Sequence, residues 1–239
     1  MEVKIEELKD LEMFNNISES TIGKILEESD VKEHRAGEIL FEDKEDVFTV
    51  YFVLKGIVSL YKINECGQKK VIFMLGKGKI INEVIIKELP ASINCEIFED
   101  SVILGIKKEK LLNIMKEDFD LCKNIIISLS SKTRRLYRQL KNTPSSIKIE
   151  KRLAAKLYKL AKDYGVEHED GIVIDMEISI TYMADLLGSQ RETVSRAMKV
   201  LQKNNLINYK SKKIIISNFE KLALFFKTSW FLSRCLFFL

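Results

Sequence analysis

The sequence predicts an α+β protein: an N-terminal antiparallel β-barrel, then a long helix, then a helix-turn-helix with a strand pair behind it. Three observations carry this. Six of the ten glycines fall within residues 36–106, where they separate short apolar runs, and short strands spaced by turn residues build a sandwich or barrel. From Cys122 onward, Cys122, Ile126, Leu129, Thr133, Leu136 and Leu140 recur at alternating steps of four and three, which is a heptad seam. Residues Ser179–Leu201 read as helix, glycine turn, helix.

Taken in order, residues 1–35 read as helical, with Ser18 capping a helix that carries Ile22, Ile25 and Leu26 on one face. The predicted strands are Glu38–Phe41, Phe48–Leu54, Val58–Ile63, Val71–Leu75, Ile80–Ile86, Ile93–Phe98 and Val102–Ile106. A short helix over 109–116 ends at Glu117 and Asp118, and the seam helix follows. Asn142–Ser146, with Pro144, breaks that helix and reads as a hinge. An amphipathic helix spans 147–164, Asp170–Gly171 makes a turn beside a short strand, and a strand pair surrounds Lys210–Lys213. A last helix starts at Asn218. The predicted division is a barrel domain at 1–108, a helical region at 109–143, a helix-turn-helix domain at 144–227, and an apolar tail at 228–239.

Composition narrows the class. The chain has 239 residues, 46% apolar, and can bury a real core. Four scattered cysteines (Cys66, Cys95, Cys122, Cys235) form no CxxC and read as reduced thiols. Met1 leads into Glu2, Glu6, Glu7 and Asp10, the wrong chemistry for a signal peptide. No run of about 18 apolar residues is present to span a membrane. A cytoplasmic protein without membrane attachment is expected. Charge is uneven: residues 1–143 sum to −2 and residues 144–239 to +6, and from Gly188 onward ten Lys and Arg face two acids. Such an end suits a polyanion partner, or is merely a solvated basic face.

The segment 179–201 carries the chemistry. Thr181 is placed to cap the first helix, Gly188 allows the tight turn, and Ser189 caps the second helix with Glu192 as its capping-box partner. In that second helix Val194, Ala197, Met198 and Leu201 share one face. Glu192, Ser195, Arg196 and Lys199 share the other, with Arg191 at its N-terminal edge. Arginine can donate two bonds to guanine and glutamate can accept from the cytosine amine in the major groove. Two plainer readings stay open: Glu192 as a cap only, and the arginines as phosphate contacts only.

On these residues the chain resembles the Crp/Fnr family of transcription regulators over roughly residues 10–226. Gly188–Arg196 is similar to the family's recognition helix, Tyr51–Val58 to its barrel strands, and Cys122–Leu140 to its dimerisation helix. The resemblance implies a cupin-like, cyclic-nucleotide-binding-like sensor barrel and a winged helix-turn-helix. It implies no catalytic residues, and a homodimer acting with RNA polymerase on double-stranded DNA, as an activator by preference. It places base reading on Arg191, Glu192 and Arg196, assisted by Ser195. Phosphate contacts fall on Thr181, Ser189, Thr193 and Lys199 and, in a wing over Leu206–Ser217, on Lys210, Lys212 and Lys213. The wing turn lacks a glycine common in relatives. The dimer interface falls on Cys122, Ile126, Leu129, Thr133, Leu136 and Leu140.

The resemblance also says what a sensor would need. Cyclic AMP binders carry a Gly-Glu-Leu start and an Arg-Ser pair; here stand Asn82-Glu83-Val84 and Pro90-Ala91-Ser92. The arginine position holds Ala91, and the adenine-contacting pair of the dimer helix falls on Gln139 and Leu140, so cyclic AMP is not expected. Without an N-terminal cysteine cluster an iron–sulfur centre is not expected either. Haem stays open, with His34 or His168 as axial ligand, as does redox sensing by Cys95 or Cys122. The expectation is an unidentified organic effector between barrel and helix, near Glu83, Ser92 and Tyr137. The competing class is a cupin-type small-molecule-binding protein or metal-dependent enzyme with a degenerate helix-turn-helix. Residues 36–106 contain no histidine to hold such a metal. A third reading is a dimeric scaffold that has lost DNA binding.

Overall fold

The computed structural model describes residues 3–87, 89–141 and 147–235, the side chains of 141 and 228–235 excepted. The hinge read at Asn142–Ser146 and the last four residues of the tail lie outside the described residues. The chain divides into two compact units, residues 1–67 with 71–138, and residues 68–70 with 139–239.

The first unit opens with helices α1 (Ile5–Lys9) and α2 (Glu19–Glu27), the latter capped by Ser18, which accepts from the Thr21 amide at 3.1 Å. Strands β1 (Ser29–His34), β2 (Ile39–Phe41), β3 (Thr49–Ile63), β4 (Lys69–Leu75) and β5 (Asn94–Lys107) form one sheet in the order β1-β5-β3-β4, with β2 also on β5. Helices α3 (Lys108–Glu117) and α4 (Phe119–Lys141) follow. Alternation along the long strands splits the apolar residues between two cores. Val50, Phe52, Leu104 and Ile106 pack with Leu8, Phe14, Ile22 and Ile25 of the N-terminal segment and with Leu111, Ile114, Leu121 and Ile125 of α3 and α4. Val53, Val58, Leu60, Phe73, Leu75, Cys95, Ile97 and Ile103 fill the other face.

Three local readings of this region change. Residues 29–34, read as helical, form β1 because they pair antiparallel with 101–106 of β5, a partnership no local pattern reveals. The run Ile80–Ile86 is no strand: Ile80 makes a lone bridge to Phe52, and Glu83–Lys87 is a short 3₁₀ turn. The side chain of Asn82 starts that departure by accepting from the Tyr51 amide and donating to the Thr49 carbonyl, both at 2.9 Å, in place of a ladder. The paired runs 48–54 with 58–63 and 93–98 with 102–106 are in fact single strands, β3 and β5, whose register shifts around Gly56. Gly56 has φ +85°, and a Cβ there would lie 2.3 Å from the Asp100 carbonyl oxygen. Gly56→Ala is therefore expected to cost at least about 2 kcal/mol, a loss that urea denaturation would register.

The second unit contains α5 (Ile149–Tyr164), β6 (Gly165–His168), β7 (Gly171–Ile174), α6 (Ile180–Leu187), α7 (Arg191–Lys203), β8 (Ile207–Lys210), β9 (Lys213–Ile216) and α8 (Phe219–Cys235). Its sheet runs β6-β7-β9-β8. Leu153, Leu157 and Leu160 of α5 are buried with Val194, Met198 and Leu201 of α7. Tyr158 stacks on Phe219 with ring centres 4.1 Å apart, which fastens α8 to α5.

Candidate nucleic-acid interface

The turn between α6 and α7 is built from backbone bonds. Gly188 takes the left-handed conformation (φ 57°, ψ 51°), so its own amide reaches the Asp185 carbonyl at 3.3 Å and the Ser189 amide reaches Ala184 at 3.0 Å. The Arg152 guanidinium of α5 donates to the Leu187 carbonyl, satisfying one more end group of α6. Sequence reasoning passed over Arg152, since nothing local to α5 announces what lies opposite it.

Both predicted caps move. Ser179, not Thr181, caps α6, accepting from the Tyr182 amide at 3.0 Å, and Thr181 stands exposed in the first turn. The cap residue of α7 is Gln190, which makes no side-chain cap bond, because Ser189 is spent closing α6. Glu192 therefore sits at the second helical position rather than the third, and no capping box forms. Its carboxylate is exposed and not used as a cap.

The faces of α7 divide as its periodicity requires. Val194, Ala197, Met198 and Leu201 are buried; Arg191, Glu192, Arg196 and Lys199 are exposed; Thr193 and Ser195 are half-buried. Ser189, at the turn, is half-buried too. No ion pair or side-chain hydrogen bond engages Arg191, Glu192 or Arg196 among the described residues. An exposed cationic rim with one free carboxylate, beside the positive end of a helix, is suited to phosphates and base edges.

The strand pair β8–β9 projects beside it. Its two-residue turn places Ser211 and Lys212 at φ 51° and 62°, the mirror-image turn that glycine or asparagine usually supplies. The Ile178 amide donates to the Lys212 carbonyl at 2.9 Å, and the Tyr209 hydroxyl to the Ile178 carbonyl at 3.2 Å, so the hairpin is tied down despite the missing glycine. Lys210, Lys212 and Lys213 are all exposed.

In the first unit, α4 presents two parallel heptad stripes. Leu121, Ile125, Ser128, Lys132 and Arg135 turn inward, the first two buried and the others half-buried. The sequence-predicted seam lies one residue further on. Ile126, Thr133, Leu136 and Leu140 are exposed, Leu140 at 70%. Cys122 is half-buried with its thiol on the Met115 carbonyl at 3.1 Å, and Leu129 packs partly on the chain's own core.

The residues read as an effector pocket do not share one environment. Ser92 is exposed and Tyr137 is 66% exposed, while Glu83 is fully buried. Both Glu83 oxygens are taken by α4: Oε1 accepts from the Ser128 hydroxyl at 2.8 Å and Oε2 from the Lys132 ammonium at 2.5 Å. Burial pulls the Lys132 pKa below the ordinary lysine range, and Glu83 opposes that pull. Ala91, which the resemblance sets at the arginine position of cyclic AMP binders, is buried among Phe41, Phe73 and Cys95. Desolvation raises the Cys95 thiol far above its usual range.

Two family models match the chain. The cyclic nucleotide-binding domain matches residues 31–118 and the Crp-like helix-turn-helix domain residues 151–225, together more than half of the chain. The chain belongs to the Crp/Fnr family. Among curated relatives, the global nitrogen regulator of a Synechocystis species is 29% identical over 71% of this chain and 76% of its own length. The cAMP-activated global transcriptional regulator of Haemophilus influenzae is 27% identical over 72% and 77%. The solved structure of the c-di-GMP-responsive global regulator CLP of Xanthomonas campestris superposes with a TM-score of 0.75 at 19% identity, over 84% of this chain and all of that one. A CooA variant from Carboxydothermus hydrogenoformans gives 0.73 at 19%, over 94% and 96%. At those identities the structures show the fold alone. This Crp/Fnr protein is a DNA-binding transcription regulator, an N-terminal antiparallel sheet domain joined through helices to a C-terminal helix-turn-helix. Among the described residues no helix is long and apolar enough to cross a membrane.

Proposed function

We propose that the protein is a homodimer that binds an inverted-repeat DNA site through α7 and recruits RNA polymerase there, as an activator in the cytoplasm and without catalytic activity. The observation that carries this reading is the free face of α7: Arg191, Glu192 and Arg196 are exposed and unpaired among the described residues, and no helix cap competes for Glu192. Arg191, Glu192 and Arg196, with Ser195, read bases. Thr181, Ser189, Thr193 and Lys199, with Lys210, Lys212 and Lys213 of the hairpin, meet phosphates. The DNA-binding part is residues 144–227, and α4 supplies the dimer contact through its exposed seam.

Selection from a randomised duplex library tests the whole reading. Two recognition helices related by a dimer axis enter successive major grooves about 34 Å apart, so the enriched sequence is expected to be a two-fold symmetric repeat of about that spacing. Enrichment of a single unrepeated half-site, or of nothing, would overturn it.

Cyclic AMP is not the switch in this reading. Ala91 offers no cation to offset the desolvation of a cyclic phosphate, and Glu83 is already held by Lys132. Titration calorimetry is expected to give no binding heat with cyclic AMP. Low-micromolar binding that disappears in Glu83→Ala would show that the site opens after all.

A further inference from the structure

The inward stripe of α4 changes character along its length. Leu121 and Ile125 are ordinary core residues, but the next positions of the same heptad, Ser128, Lys132 and Arg135, are polar. Each has a specific partner on the sheet domain. Ser128 donates to Glu83, and Arg135 lies over the Phe73 ring at 5.0 Å. The Lys132 ammonium uses three donors on three acceptors: the carbonyls of Ile80 and Ile81 at 2.9 and 3.0 Å, and Glu83. The Lys132 side chain is only 14% exposed and that of Glu83 not at all.

This arrangement answers a question that apolar packing leaves open. The seam (Ile126, Thr133, Leu136 and Leu140 exposed, Leu129 half-buried) and the inward stripe are displaced by one residue, about 100° around the helix. Both stripes are apolar enough near the N-terminal end of α4 to pack on the sheet. A rotation of α4 by one residue would bury the seam and expose the inward stripe. The ion pair opposes that rotation, because Lys132 would leave with the helix and Glu83, with no exposure of its own, would stay buried and unpaired; the best-attested use of buried polar pairs is to fix register.

We propose that Lys132 is a built-in ligand of the sensor domain: by filling the Glu83 site from within, it sets the rotation of α4 so that the seam faces a second copy of the chain, and DNA binding needs no diffusible effector. The ammonium takes the place that the sequence reading left for an organic molecule. The proposal rests on the dimeric DNA-binding reading above.

The test compares wild type with the double variant Lys132→Met/Glu83→Gln, which removes both charges while keeping volume and so is expected to fold. Wild type, unfolded in guanidinium, dialysed and refolded, is expected to bind the selected DNA as tightly as before. The double variant is expected to keep a cooperative melt while its dimer and DNA dissociation constants both rise at least about tenfold, since register is lost without loss of fold. Two results would overturn the proposal: a double variant within about twofold of wild type in both constants, or refolded wild-type dimer that binds DNA only after a small-molecule extract is added. Failure of the underlying reading looks different, because then wild type itself neither dimerises nor selects a symmetric site, before or after refolding.

Discussion

Leu136→Lys is expected to abolish the dimer and, with it, high-affinity DNA binding. Leu136 is 40% exposed in the single chain and belongs to the outward stripe, so the substitution leaves the fold of the chain alone and acts only where a second copy covers it. By symmetry each dimer receives the change twice, and a buried unpaired charge costs about 3–5 kcal/mol. Sedimentation should find monomers at concentrations where wild type is dimeric, with an unchanged circular dichroism spectrum. Leu129→Lys, attractive from the heptad alone, is the poorer experiment: Leu129 packs partly on the chain's own core, and its loss would mix folding with association. An unchanged dimer in Leu136→Lys would exclude the α4 seam.

Replacing Arg191, Glu192 and Arg196 together by alanine is expected to bring the selected site down to the level of random DNA. Specific sites are bound roughly 10³-fold or more better than non-specific ones, and base-reading pairs supply that margin. Arg196→Ala alone should cost about 1–3 kcal/mol per half-site and relax preference at one base pair. Lys212→Ala should behave differently. It should weaken binding to all sequences and lower the salt slope by about one per lost phosphate contact. Competition binding at several salt concentrations separates the two patterns. A selected motif that survives the triple substitution unchanged would remove base reading from this face.

Much of the fold is legible in the sequence alone, and what is not follows a pattern. The helix-turn-helix was readable because its information is local. Gly188 supplies the left-handed turn, and the spacing of Val194, Ala197, Met198 and Leu201 determines which side of α7 is buried. The capping assignment failed within the same segment, since Ser189 offers its backbone to α6 before its side chain can serve α7. In the sheet domain, strand existence was mostly legible and strand length was not. Gly56 looks like a turn in one dimension, but beside β5 it is a bulge within a continuous strand. Residues 29–34 carry no strand pattern strong enough to stand alone, and become β1 because β5 has a free edge for them.

By itself the sequence determined the family, the order of its domains, the buried and exposed faces of α7, and the existence of a seam on α4. The family follows from a resemblance that runs along most of the chain, and the rest from periodicity and turn chemistry within a few residues. Tertiary structure alone decided what becomes of Glu83. By resemblance it stands in a degenerate nucleotide cassette; in the fold it is the buried partner of Lys132, 49 positions along the chain. The physical reason is desolvation. A carboxylate sealed in a protein interior must find a cation or lose its charge, and which cation the fold delivers is a matter of long-range packing, to which a one-dimensional pattern is blind.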